Sequence, residues 1–126
     1  MTTVFPDVGT FPPAPLRARR GDRILLERVV LADTYFTRAR GLLGRAALPP
    51  GEGLLIDPCG AIHTLAMRFA IDAVFLDAAG RVTRIYRSLA PWCPAAPGGE
   101  GACRVLESAA GQMPEDLQPG DVITFE

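Results

Sequence analysis

The segment Cys59-Gly-Ala-Ile-His-Thr-Leu-Ala-Met-Arg-Phe-Ala-Ile-Asp72 packs a cysteine, the only histidine of the chain, an arginine and an aspartate into one stretch. Cys59 and His63 have the residue types of a thiolate nucleophile and its base, because a neighbouring imidazolium lowers a thiol pKa. No nucleophile motif surrounds Cys59, which lies between Pro58 and Gly60. Cys59, His63, Cys93 and Cys103 would together make a three-thiolate, one-imidazole zinc set. Their C-x3-H and C-x9-C spacings depart from the tight C-x2-C knuckles of structural zinc sites.

Two acids stand in apolar surroundings, Asp72 in Ile71-Asp72-Ala73 and Glu107 in Val105-Leu106-Glu107. A carboxylate inside an apolar strand must find a partner or shift its pKa. Arg45, His63 and Arg68 are the candidate partners. Read functionally, Arg45, His63, Arg68, Asp72 and Glu107 make a polar patch for a small polar or anionic ligand. Read structurally, the same residues make an arginine–carboxylate network that ties loops to a sheet. Trp92, in Ala-Pro-Trp-Cys-Pro, is either a lid or recognition residue or a plug for the end of a small barrel.

What the chain lacks narrows the chemistry further. All 13 basic residues are arginine, Asn is absent, and Ser88 and Ser108 are the only serines. Schiff-base lysines, lysine-type phosphate loops and the G-x-S-x-G hydrolase elbow are therefore excluded. A formal charge of −1 argues against a nucleic-acid partner. No run approaches the ~20 apolar residues of a membrane span, so no membrane is expected either. The N-terminal residues lack a basic region followed by an apolar core, and three cysteines make a poor disulfide framework, so a cytoplasmic protein is expected. No cofactor is implied, and oligomeric state is not legible.

The elements that must position these residues follow from periodicity. Residues 1–20, with Pro6, Pro12, Pro13 and Pro15 and then Arg17, Arg19 and Arg20, read as a flexible tail before a single domain over 21–126. Strands are predicted over 24–31, 53–57, 67–76, 81–87, 103–108 and 122–125. In the clearest of them Met67, Phe69, Ile71, Ala73 and Phe75 share one face, and Arg68, Asp72, Val74 and Leu76 the other. Arg68 and Asp72 would then share a polar site. Asp33 reads as an N-cap, and Phe36, Ala39, Leu43 and Ala46 give a helix over 34–45. A second, short helix fits 112–117. The fold class expected is α+β, a mainly antiparallel, barrel-like sheet with one clear helix near the start.

Several of these residues also carry a resemblance. Arg40-Gly-Leu-Leu-Gly-Arg45, Gly53-Leu-Leu-Ile56 and Ile62-His-Thr-Leu-Ala-Met-Arg-Phe-Ala-Ile-Asp-Ala-Val-Phe-Leu-Asp77 resemble domain of unknown function 192, the UPF0127 group of small prokaryotic proteins. Val105-Leu-Glu107, Gly111 and Pro119-Gly-Asp121 continue the pattern, over about residues 24–125. The resemblance implies a compact, largely β fold and supplies no reaction. It matches Gly41, Arg45, His63, Met67, Arg68, Asp72, Phe75, Glu107, Gly111, Gly120 and Asp121, whereas Cys93 stands where the family loop carries a basic residue. The leading functional expectation is a non-catalytic small-ligand-binding or accessory domain, since no nucleophile, base and orienting group assemble. A Cys–His or zinc-assisted hydrolase and a structural interaction domain are the alternatives.

Overall fold

The computed structural model describes residues 14–34, 42 and 44–126. Nine strands form, in chain order β1 (Leu16–Arg20), β2 (Arg23–Ala32), β3 (Glu52–Ile56), β4 (Ala61–Ile62), β5 (Ile71–Leu76), β6 (Val82–Leu89), β7 (Ala96–Pro97), β8 (Arg104–Ala109) and β9 (Thr124–Phe125). Seven make one sheet in the order β6-β5-β8-β3-β2-β1-β9, and β4 pairs with β7 apart from it. Every ladder is antiparallel except β2–β3, which is parallel from Arg28↔Glu52 to Ala32↔Ile56. The ends of the strand order meet in an antiparallel bridge between Arg81 and Val122. Two flanking bonds hold it, Val82 N–H to Asp121 O at 2.7 Å and Ile123 N–H to Gly80 O at 2.9 Å. The sheet is thus a half-barrel drawn together at one rim.

Alternation along the strands divides the apolar residues between two cores. The inner core joins Ala18, Leu26, Val29, Leu55, Val74, Leu76, Leu106, Met113, Leu117 and Ile123. The outer core joins Ala32, Leu42, Leu48, Ile56, Met67, Ile71, Ala73, Phe75 and Val105. Register aligns Leu55, Leu106 and Val74 as one inner row, and Ile56, Val105 and Phe75 as one outer row. All six residues of β5 are buried, as expected for a strand covered on both faces. Gly98 lies so close to the outer row that an added Cβ would overlap the Phe75 ring and come within 2.6 Å of Ala102 Cβ.

The structure corrects the α+β expectation, because the described residues contain no helix. Where a short helix is expected over 112–117, residues 109–112 and 114–117 form two tight turns closed by Gln112 N–H to Ala109 O and Leu117 N–H to Pro114 O. Pro114 accounts for this: it offers no N–H and biases Met113 away from helical geometry. The helix expected over 34–45 falls mostly on residues 35–41 and 43, outside the described ones. The strand expected over 67–76 starts only at Ile71, since Met67 N–H turns back to Thr64 O at 3.1 Å and Ala66 takes φ +64°. Leu16–Arg20, read from sequence as the end of a tail, is β1, paired on one side with β2 and on the other with β9.

Candidate functional site

Asp72 and Glu107 stand on adjacent strands, and their register decides what they can share. Ala73 pairs with Glu107 and Asp72 with Ser108. Asp72 is in phase with Val74 and Leu76 of the inner core, whereas Glu107 is in phase with Val105 of the outer core. The two carboxyl groups therefore project from opposite faces of the sheet.

Asp72 is 1% exposed and fully engaged. Its Oδ1 accepts the Ser88 N–H at 2.9 Å, and its Oδ2 accepts the N–H groups of Gly111 and Met113 at 3.0 and 3.1 Å. It fastens the end of β6, where Ser88 takes φ +51°, to the turn that follows β8. This is the structural role for a buried carboxylate: backbone donors replace its lost water.

Glu107 is also buried, at 5% exposure, and its surroundings differ. Its cross-strand neighbours are Leu54 on β3 and Ala73 on β5. Among the described residues it has no hydrogen bond and no ion pair. Loss of water with no replacement pushes its pKa up to about 7. The outer core above this face is completed by Leu42 and Leu48 from one segment and Met67 from another. Arg45 sits in the first segment and Arg68 directly follows Met67, and both are exposed.

His63 is exposed, and its Nδ1 accepts the Leu65 N–H at 3.2 Å within its own turn. Arg68 lies in the bend before β5, exposed, whereas Asp72 is enclosed, so the expected Arg68–Asp72 pair does not form. Of the five residues read as a patch, no two are joined by a hydrogen bond or ion pair among the described residues. Arg45 and Arg68 occupy segments that cover the face bearing Glu107, and Asp72 belongs to the other side.

The thiols show no gathered centre. Cys59 Sγ donates to Ala61 O at 3.2 Å and Cys93 Sγ to Ala95 O at 3.4 Å. Among the described residues no three His, Cys, Asp or Glu side chains are grouped so as to hold a metal ion. Among the described residues there is no helix long and apolar enough to cross a membrane.

Two positioning residues escaped the sequence reading. Thr64, 1% exposed, donates its hydroxyl to Ala90 O at 2.7 Å and accepts the Cys93 N–H at 2.8 Å. Its backbone adds bonds with Trp92 and Cys93, so one buried threonine joins two loops. Arg87 spreads its guanidinium over the carbonyls of Met113, Pro114, Glu115 and Leu117. A lone threonine among apolar residues gives a weak signal of such a hub, and the Arg87 contacts depend wholly on the tertiary fold.

The family model described as DUF192, an uncharacterised group, matches residues 17–125. A UPF0127 protein of Thermococcus sibiricus is 33% identical over 107 residues, which cover 79% of this chain. The chain spans 66% of the length of that relative. Among solved structures, a protein of unknown function from Novosphingobium aromaticivorans matches with a TM-score of 0.75 at 20% identity, covering 98% of this chain and 99% of its own. A candidate transcription regulator from Sinorhizobium meliloti matches with a TM-score of 0.78 at 25% identity, covering 93% of this chain and 98% of its own.

Proposed function

The chain belongs to DUF192, a family described as uncharacterised, and from that premise we propose that it is a non-catalytic domain that binds a small polar ligand at Glu107. The observation that carries this reading is a buried carboxyl group with no partner among the described residues. The group keeps only slight contact with water, at a cost below the about 1–3 kcal/mol of a fully enclosed unsatisfied polar group. A ligand that hydrogen-bonds to Glu107 would recover that cost on binding. With a pKa of about 7 the group is present near neutrality both as an acid that donates and as a carboxylate that accepts. Arg45 and Arg68, on the segments above, suit an anionic substituent on the same ligand.

Binding rather than catalysis is favoured because no second titrating group accompanies Glu107 among the described residues; acid–base or covalent chemistry needs a partner within hydrogen-bond reach. Thermal unfolding in the presence of polyols, amino acids, carboxylic acids and phosphate tests the idea. The expected result is a rise in Tm for one of these classes that is lost in Glu107→Gln and Glu107→Leu. If no class shifts the wild-type protein, or the variants keep the full shift, the reading fails.

A further inference from the structure

Three segments complete the outer core beyond the sheet: residues 44–51, 58–71 and 88–99. Leu48, Met67 and Ala73 meet in that core, with Cys59, Ile62, Phe69 and Leu89 packed against it. Ala61 and Ile62 pair with Pro97 and Ala96, and Thr64 bonds to Ala90, Trp92 and Cys93. These segments hold no Asp or Glu, although Glu52, Asp57, Asp72 and Glu100 adjoin their ends. Their cations are Arg45 and Arg68, both exposed.

At the Thr64 junction the exposed residues are strongly apolar. Trp92 is 67% exposed and Leu65 39%. Ala66, Ala90, Pro94 and Ala95 are exposed around them. Ala66 and Trp92 both take positive φ, +64° and +68°. Such backbone is unfavourable for residues other than glycine, and here the Thr64 bonds hold it, so the indole is presented on a fixed support.

We propose that this tip, with Trp92 and Leu65 at its centre and Arg68 three residues from Leu65, docks onto the surface of an anionic lipid bilayer. Charge complementarity selects an anionic partner. Nucleic-acid binding that draws on roughly six to ten phosphate contacts needs more than two arginines can supply. Exposed tryptophan beside aliphatic residues and arginine matches the bilayer interface, where the indole sits at headgroup level with its N–H still wet. Two apolar anchors and two arginines give weak, reversible attachment. This surface shares Arg68 with the segments that cover Glu107, but the proposal does not rest on ligand binding there, and the Glu107→Gln variant separates the two.

Trp92 is the only tryptophan, so its fluorescence reports the tip directly. Full-length protein is mixed with phosphatidylcholine vesicles, with and without phosphatidylglycerol, and followed by emission and by co-sedimentation. The expected result is a blue shift and co-sedimentation with the anionic vesicles, both weakened by high salt. Arg68→Ala should lower sedimented protein about fivefold. Trp92→Ala and Leu65→Gln should each abolish sedimentation with circular dichroism unchanged, and Glu107→Gln should leave it intact. Absence of any shift at saturating anionic lipid overturns the proposal. So does a blue shift produced by raising protein concentration alone, which would mark a contact between copies. A shift produced by poly-glutamate and not by vesicles overturns it in favour of an acidic protein partner.

Discussion

Asp72 and Glu107 show how one residue class takes two roles on neighbouring strands. Asp72 faces three backbone donors. Asp72→Ala would leave those N–H groups buried without an acceptor, and a loss of about 3 kcal/mol or more in urea unfolding is expected. Asp72→Asn keeps one acceptor oxygen and should lose about half as much. Glu107 behaves in the opposite sense. Its folded pKa, about 7, lies above the ordinary glutamate value of 4.5. Between those values the folded state holds the proton and the unfolded state releases it. Stability is therefore greatest below the unfolded pKa and falls as pH rises through the folded one. Glu107→Gln removes this dependence. Relative to wild type it should gain up to about 3 kcal/mol between pH 5 and pH 8, read from paired urea titrations. A flat difference across that range would show that Glu107 does not titrate as a buried acid.

The elements show what can be read from a sequence and what cannot. The strands expected over 24–31, 53–57, 81–87 and 103–108 correspond to β2, β3, β6 and β8 within one or two residues at most ends, because short apolar, β-branched runs bounded by turn residues mark them locally. Met67, Phe69, Ile71, Ala73 and Phe75 do reach the same outer core, as alternation predicts, although the strand covers only the last three. The bend at 66–70 depends on Thr64 and Ala90, 26 residues apart, and no local pattern announces it. β1 was hidden for a similar reason: prolines and arginines disguise it, and β9 fixes its outer edge from the far end of the chain. Residue types alone suggest the five-residue patch, but whether Asp72 and Glu107 share a face depends on the register between β5 and β8, which parity within one strand does not reveal. The Thr64 junction can be tested alone. Thr64→Val preserves shape and removes the hydroxyl bonds to Ala90 and Cys93. A loss of about 2 kcal/mol is expected, with faster amide exchange at Cys93.

At the scale of the whole molecule, the half-barrel depends on its rim. Gly80 takes φ +85°, and an added Cβ would lie 2.6 Å from Ile123 O. Gly80→Ala therefore strains the β5–β6 turn and pushes away the segment that bridges to Arg81. The expected loss is about 2–3 kcal/mol, a drop in Tm of roughly 10 °C for a domain of this size. A Tm within a degree or two of wild type would show that the rim contact is dispensable.

The strand order β6-β5-β8-β3-β2-β1-β9 also has a kinetic consequence. β1 receives one of its two partners from the last residues of the chain, through Ala18↔Phe125, Arg19↔Thr124 and the Arg17–Glu126 backbone bonds. β8 must insert between β3 and β5, each far from it in sequence. Loop-closure entropy must be overcome before most of the ladder rewards it, which places refolding in the slow regime of non-local β topologies, milliseconds to seconds in order of magnitude. During synthesis the outer edge of β1 stays open until β9 emerges. The earliest element of the sheet is thus among the last to be protected.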